Sequence, residues 1–204
     1  SARLLEPIAA ERDGLVDRNR LLDFSGRGPR SQLELAEQMG IAEIPTPGGG
    51  CRLAEKENAR RYWPVLTRLP NPGAHDFELA NVGRQFWAGT SWLSLGRNAS
   101  DNQELERLTR PGDMLFRLCD FTGPLGLARP FAGPWDAQVI QDAAALVASY
   151  SPKAVHHATE QGKPVSVRVE ICGGEKTIVD AVPSRQTGLP WGMPDFIEVR
   201  DAIR

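Results

Sequence analysis

Lysine is scarce in this 204-residue chain: Lys56, Lys153, Lys163 and Lys176 are the only ones, so most of its 24 basic residues are arginines. Against 26 acidic residues they leave a formal net charge of −2, which excludes a protein that binds nucleic acid by bulk charge alone. A local basic patch stays open, and the planar guanidinium suits phosphate contacts as well as plain solubility. Cysteine is sparse too. Cys51, Cys119 and Cys172 form no CxxC pair, and an odd count fits a reducing cytoplasm better than a disulfide framework. No apolar run approaches the ~20 residues of a membrane helix, and no signal-peptide pattern opens the chain. The expectation is a cytoplasmic protein with no membrane partner. It opens on SARLLEP without methionine, as a piece cut from a longer protein, or an end left by tag removal, would.

Missing motifs narrow the chemistry further. HExxH and dense acid clusters are absent, and the adjacent His156 and His157 point apart on either a helix or a strand. No metal site is expected. The phosphate loop GxxxxGK[ST] and the SGGxDS signature of ATP-pyrophosphatases are absent as well, so no cofactor, ATP included, is expected in this chain alone.

What is present is a mixture of helical and strand patterns. A short helical run is expected around residues 17–24, then a helix over 31–39 with Ser31 and Glu34 as a capping box and Gly40 as its stop. The run 53–69 is helical in composition, with Pro64 interrupting or ending its first part. Asp76 is placed as the cap of a helix carrying Phe77, Leu79, Val82 and Phe86. From Ser91 the period changes to two: WLSLG, MLFRLCD and GPLGLARP read as strands, the first two separated by a polar helix over 101–108. An amphipathic helix follows over 136–150, and VSVRVEIC and EKTIVDAVP form a hairpin around Gly173-Gly174. A final strand is placed at 197–199. The fold class is therefore α+β: a mixed, largely antiparallel sheet with packed helices, behind a helical N-terminal segment.

Two stretches could carry chemistry. In IPTPGGGC, the glycines leave Cys51 uncrowded at the start of a helix-like run, where the dipole and Arg52 favour a thiolate; the other reading is a small buried residue at a turn. Cys119 and Cys172 sit in strand-like runs and read as core. In LGRNASDNQELERL, residues 95–108, Arg97 and Asn98 stand at a turn where guanidinium and amide can meet phosphate or base edges. Equally, Asn98 caps the turn and Asp101 with Glu104 caps the helix.

The order of LGRNASDNQELERL, GDMLFRLCDFTGPLGLAR and DAAALVASYS resembles the RNA-binding R domain of NFACT proteins. There a GRN-x-x-x-N element precedes a D-x-W-F-H strand, a glycine-containing turn and an AA-x-x-x-A-x-x-S helix. The similarity covers about residues 76–182. At the strand the family's aromatic and histidine give way to Leu115, Phe116 and Arg117, as in the divergent branch found at the C-terminus of ATP-pyrophosphatase proteins related to tRNA thiouridylases. The stretch LLDFSGRGPRSQLELAEQMGIAEIPTPGGGC is similar to the segment that follows the nucleotide domain in those proteins.

The resemblance implies a connector over residues 1–74 and an RNA-binding domain over 75–204. It implies tRNA as partner, contacted by Arg97, Asn98, Asn102 and Arg117, and Cys51 as a catalytic thiolate in sulfur transfer. Catalysis would need an upstream PP-loop domain to hold ATP, and a sulfur-donor protein to supply the persulfide. The competing reading is a non-enzymatic protein-interaction domain using exposed tryptophans among Trp63, Trp87, Trp92, Trp135 and Trp191.

Overall fold

Short runs of alternating apolar residues build one antiparallel sheet. The structure, a computed structural model, describes residues 5–24, 29–41, 56–193 and 201. The chain forms two compact units, Ser1–Arg52 and Leu53–Arg204.

In the first unit lie helix α1 (Ala9–Arg12), a 3₁₀ turn at Arg18–Arg20, and α2 (Arg30–Gln38). α2 begins two residues earlier than the capping box requires. Pro29 holds the N-cap position without a side-chain bond, so Ser31 does not cap it, whereas Gly40 does take the left-handed conformation just past the end, at φ 71°.

The second unit runs α3 (Lys56–Arg68), α4 (Ala74–Asn81), β1 (Arg84–Ala88), β2 (Ser91–Leu95), α5 (Ala99–Arg107), β3 (Met114–Leu118), β4 (Gly126–Ala128), α6 (Ala137–Ala148), α7 (Pro152–Gln161), β5 (Val165–Ile171) and β6 (Lys176–Ala181). Its six strands lie in the order β1-β2-β4-β3-β5-β6, and every neighbouring pair is antiparallel. The fold is α+β. Alternation sends Leu93, Leu95, Met114, Phe116, Val165, Val167 and Val169 into a core with α6. Trp92, Leu115 and Leu127 join α3, α4 and Leu105 of α5 in a second core.

Two helices depart from the sequence pattern. α3 continues through Pro64, because burying Tyr62, Val65 and Leu69 outweighs the roughly 3 kcal/mol a helical proline costs. α4 stops at Asn81 rather than reaching Phe86, which lies in β1. Gly83 turns the chain there at φ 69°, where an added Cβ would sit 2.2 Å from the Leu95 carbonyl oxygen. Asp76 is not the N-cap of α4; one turn in, its carboxylate accepts the Gly73 N–H at 2.9 Å.

α7 was missed by periodicity, although its punctuation is plain: Ser151 caps it, Pro152 opens it and left-handed Gly162 closes it. The cysteine expectation also needs correcting. Cys119 is exposed and Cys172 half-buried, since Cys119 lies just past β3, where the apolar faces end. Burial, with Asp113 and Glu170 nearby, pushes the Cys172 thiol above its ordinary pKa. The tryptophans are not exposed anchors. Trp87 and Trp92 are buried and stacked at 4.6 Å, and Trp63, Trp135 and Trp191 are partly buried. The proposed strand at 197–199 lies outside the described residues.

Candidate nucleic-acid interface

The GRN turn joins β2 to α5 at one end of the sheet, and its geometry follows from three side chains. Asn98 is the N-cap of α5: its Oδ1 accepts the Asp101 N–H at 2.8 Å. Asp101 therefore does not cap the helix. Its carboxylate instead turns back to accept from the Arg97 backbone N–H at 3.0 Å and from Arg97 Nε at 2.7 Å. Each partner stabilises the other's charge: the Arg97 hydrogen bond holds the Asp101 carboxyl below its usual range, and the same bond raises Arg97.

Asn102 lies one helical turn beyond Asn98. Its Oδ1 crosses to accept the Leu125 N–H at 3.1 Å, while the Gly96 N–H donates to the Leu125 carbonyl at 3.0 Å. The GRN turn is thus clasped to the turn at 122–125 from both sides. Gly96 is required for this, because a Cβ there would come within 1.9 Å of Asn102 Oδ1.

Between these turns lies an open cleft of about 360 Å³ lined by Arg97, Asn98 and Asn102 together with Arg84 and Tyr150. Arg117 is not in it. It lines an adjoining hollow of about 260 Å³, where Asn102 forms part of the common wall and Arg168 stands nearby. Arg117 pairs with Glu106 of α5, and in the β3–β5 register it lies directly opposite Arg168. The four residues expected to contact RNA thus share one end of the sheet, divided between two connected hollows. Cys51 lies outside the described residues.

Arg84, Tyr150, Arg168 and Arg185 were not foreseen as site residues. The guanidinium of Arg84 lies 5.0 Å from the Tyr150 ring centre, and that of Arg185 lies 4.5 Å from it. Arg84 was hidden because its strand read as the end of a helix. Arg168 had a usable signal, since it alternates with the buried Val167 and Val169 in β5. Among the described residues no group of histidine, cysteine and acidic side chains could hold a metal ion, and no helix is long and apolar enough to cross a membrane.

The class defined by fold and site is an α+β domain with an arginine-lined cleft at one end of an antiparallel sheet. No known protein family and no curated protein matches the chain. A structural neighbour is the C-terminal part of the fibronectin/fibrinogen-binding protein from Streptococcus suis, with 17% sequence identity and a TM-score of 0.43, over 68% of this chain and 60% of that one. This chain thus spans 60% of that neighbour's length, and so loose a superposition carries no argument about function.

Proposed function

We propose that this chain is the tRNA-binding region of an ATP-dependent tRNA-thiolating enzyme, inactive without an upstream PP-loop domain that holds ATP. The observation that carries RNA binding is the cleft in which Arg97, Asn98 and Asn102 meet beside Arg84 and Tyr150. Guanidinium and amide groups there flank an aromatic ring, a combination suited to phosphate and base together. The thiolation part rests on the similarity of the GRN element and the PTPGGGC segment to thiouridylase-related proteins. In that setting Cys51 supplies a thiolate to attack or resolve a persulfide intermediate, and a separate sulfur-donor protein delivers the sulfur. The site of action is the cytoplasm, where tRNA and reduced thiols are found.

A tRNA titration at about 50 and 200 mM salt tests the reading. With a formal net charge of −2, the expected affinity is about micromolar, falling steeply with salt, and Arg97→Ala and Arg117→Ala each weaken it. Undetectable binding at low salt, or binding that neither substitution alters, rejects it.

A further inference from the structure

Resting on the RNA-binding reading, we infer that the ligand is an unpaired RNA strand, with one base stacked at Tyr150 and one phosphate held between Arg117 and Arg168. Three hollows share walls. The central cleft shares Tyr150 and Pro152 with a hollow of about 500 Å³ beside α7. On its other side it shares Asn102, Thr122, Gly123 and Pro124 with the hollow that holds Arg117 and Arg168. They form one path that starts at the corner between α6 and α7, crosses the lip of the sheet at the 122–125 turn, and ends on the face of β3 and β5.

At each end of the path arginines outnumber the carboxylates that act on them. At Tyr150 two guanidiniums, Arg84 and Arg185, approach a single ring, and the carboxylate that Arg84 acts on, Asp101, is already bonded to Arg97. Ring and guanidinium planes are both surfaces on which a nucleobase stacks. Arg185 is exposed and follows β6 on a loop, so a base displacing it from the ring leaves its guanidinium beside the adjoining phosphate. At the other end Arg117 and Arg168 are directly opposed across two strands, an arrangement that like charges disfavour. Glu106 answers Arg117, while the Arg168 side chain has no ion pair among the described residues. A phosphate seated between the two arginines relieves that repulsion.

A duplex is read by its regular shape across a broad surface, whereas a path that bends around a lip and ends on an aromatic ring fits a strand whose bases are splayed out. The test is fluorescence anisotropy of the full chain with a labelled oligocytidylate of about eight nucleotides and with an RNA duplex of similar length. The strand is expected to bind more tightly than the duplex. Tyr150→Leu, which keeps an apolar side chain against the core, is expected to weaken strand binding on the order of tenfold, and Tyr150→Phe by less than about twofold. Arg168→Ala is expected to lower the salt slope by about 0.7, one single-strand phosphate contact. Equal affinity for strand and duplex, or equal binding by the Leu and Phe variants, overturns this inference while leaving RNA binding standing. Absence of binding to oligomer, duplex and tRNA alike removes the RNA reading itself.

Discussion

Asn102 Oδ1 accepts the backbone N–H of Leu125 at 3.1 Å across the mouth of the cleft, so the asparagine of the GRN-x-x-x-N element acts first on protein geometry. Removing that acceptor leaves a part-buried N–H unpartnered, and Asn102→Ala is expected to cost about 1–3 kcal/mol. Asn102→Asp keeps an acceptor oxygen but sets a negative charge in the wall shared by both hollows. Its expected signature is near-native stability in urea with RNA affinity lowered at least about tenfold, an unfavourable charge contribution of roughly 1.4 kcal/mol. Equal losses of stability in the two variants would show that the clasp depends on the amide nitrogen instead.

Much of this was legible in the sequence. Apolar runs announced β2, β3, β5 and β6, and Gly173-Gly174 announced the last hairpin; burial alternates cleanly along β5, whereas all of β2 is buried and most of β6 is exposed. The cleft was half legible. Arg97 and Asn98 belong to one turn and Asn102 to the first turns of the helix that leaves it, so their convergence is local. Arg117 and Arg168 meet only through the β3–β5 register, and Tyr150 meets Arg84 only because α4 ends five residues sooner than the apolar spacing suggests and Gly83 leads into β1. Those contacts depend on tertiary packing, which no window of sequence contains.

Asp101 restrains Arg97 through the bond at 2.7 Å, and an arginine already paired gives less to a phosphate. Asp101→Asn leaves an amide oxygen to accept the Arg97 backbone N–H while freeing the guanidinium, so RNA binding should tighten and its salt slope steepen by about one contact. The same pair has an acid signature. The folded-state pKa of Asp101 is depressed below its ordinary 3.8, so its contribution to stability is present above that value and is lost as pH falls through the depressed one. The stability gap between the native chain and Asp101→Asn is therefore expected to be constant from neutral pH down to about 4 and to close below it. Denaturation followed at stepped pH reads this directly, and a gap that widens toward low pH would contradict the assignment.

Arg129 is the buried counterpart of these surface arginines. Its Nη2 lies 2.8 Å from Asp113 and its Nη1 3.1 Å from Asp76, with all three side chains almost wholly shielded from water. Nη2 also donates to the Leu108 carbonyl at 2.8 Å, and the guanidinium lies 5.9 Å from the Trp92 ring centre. One side chain thus ties α4, the end of α5 and the start of β3 together, at the far end of β4 from the 122–125 turn. Arg129→Met leaves Asp113 with the Arg110 backbone N–H at 3.1 Å and its guanidinium at 3.9 Å, and Asp76 with the Gly73 N–H at 2.9 Å and the Arg110 guanidinium at 3.3 Å. The expected loss is about 3–5 kcal/mol, the cost of stranding buried charge rather than the net worth of the bridge. Urea unfolding followed by tryptophan emission measures it, since Trp92 lies against the guanidinium. Repeating the substitution where Asp76→Asn and Asp113→Asn have removed the carboxylate charges separates the two contributions. If stranded charge dominates, Arg129→Met should cost far less in that background. An undiminished cost would assign the stabilisation to the hydrogen bond at Leu108 and to packing against Trp92.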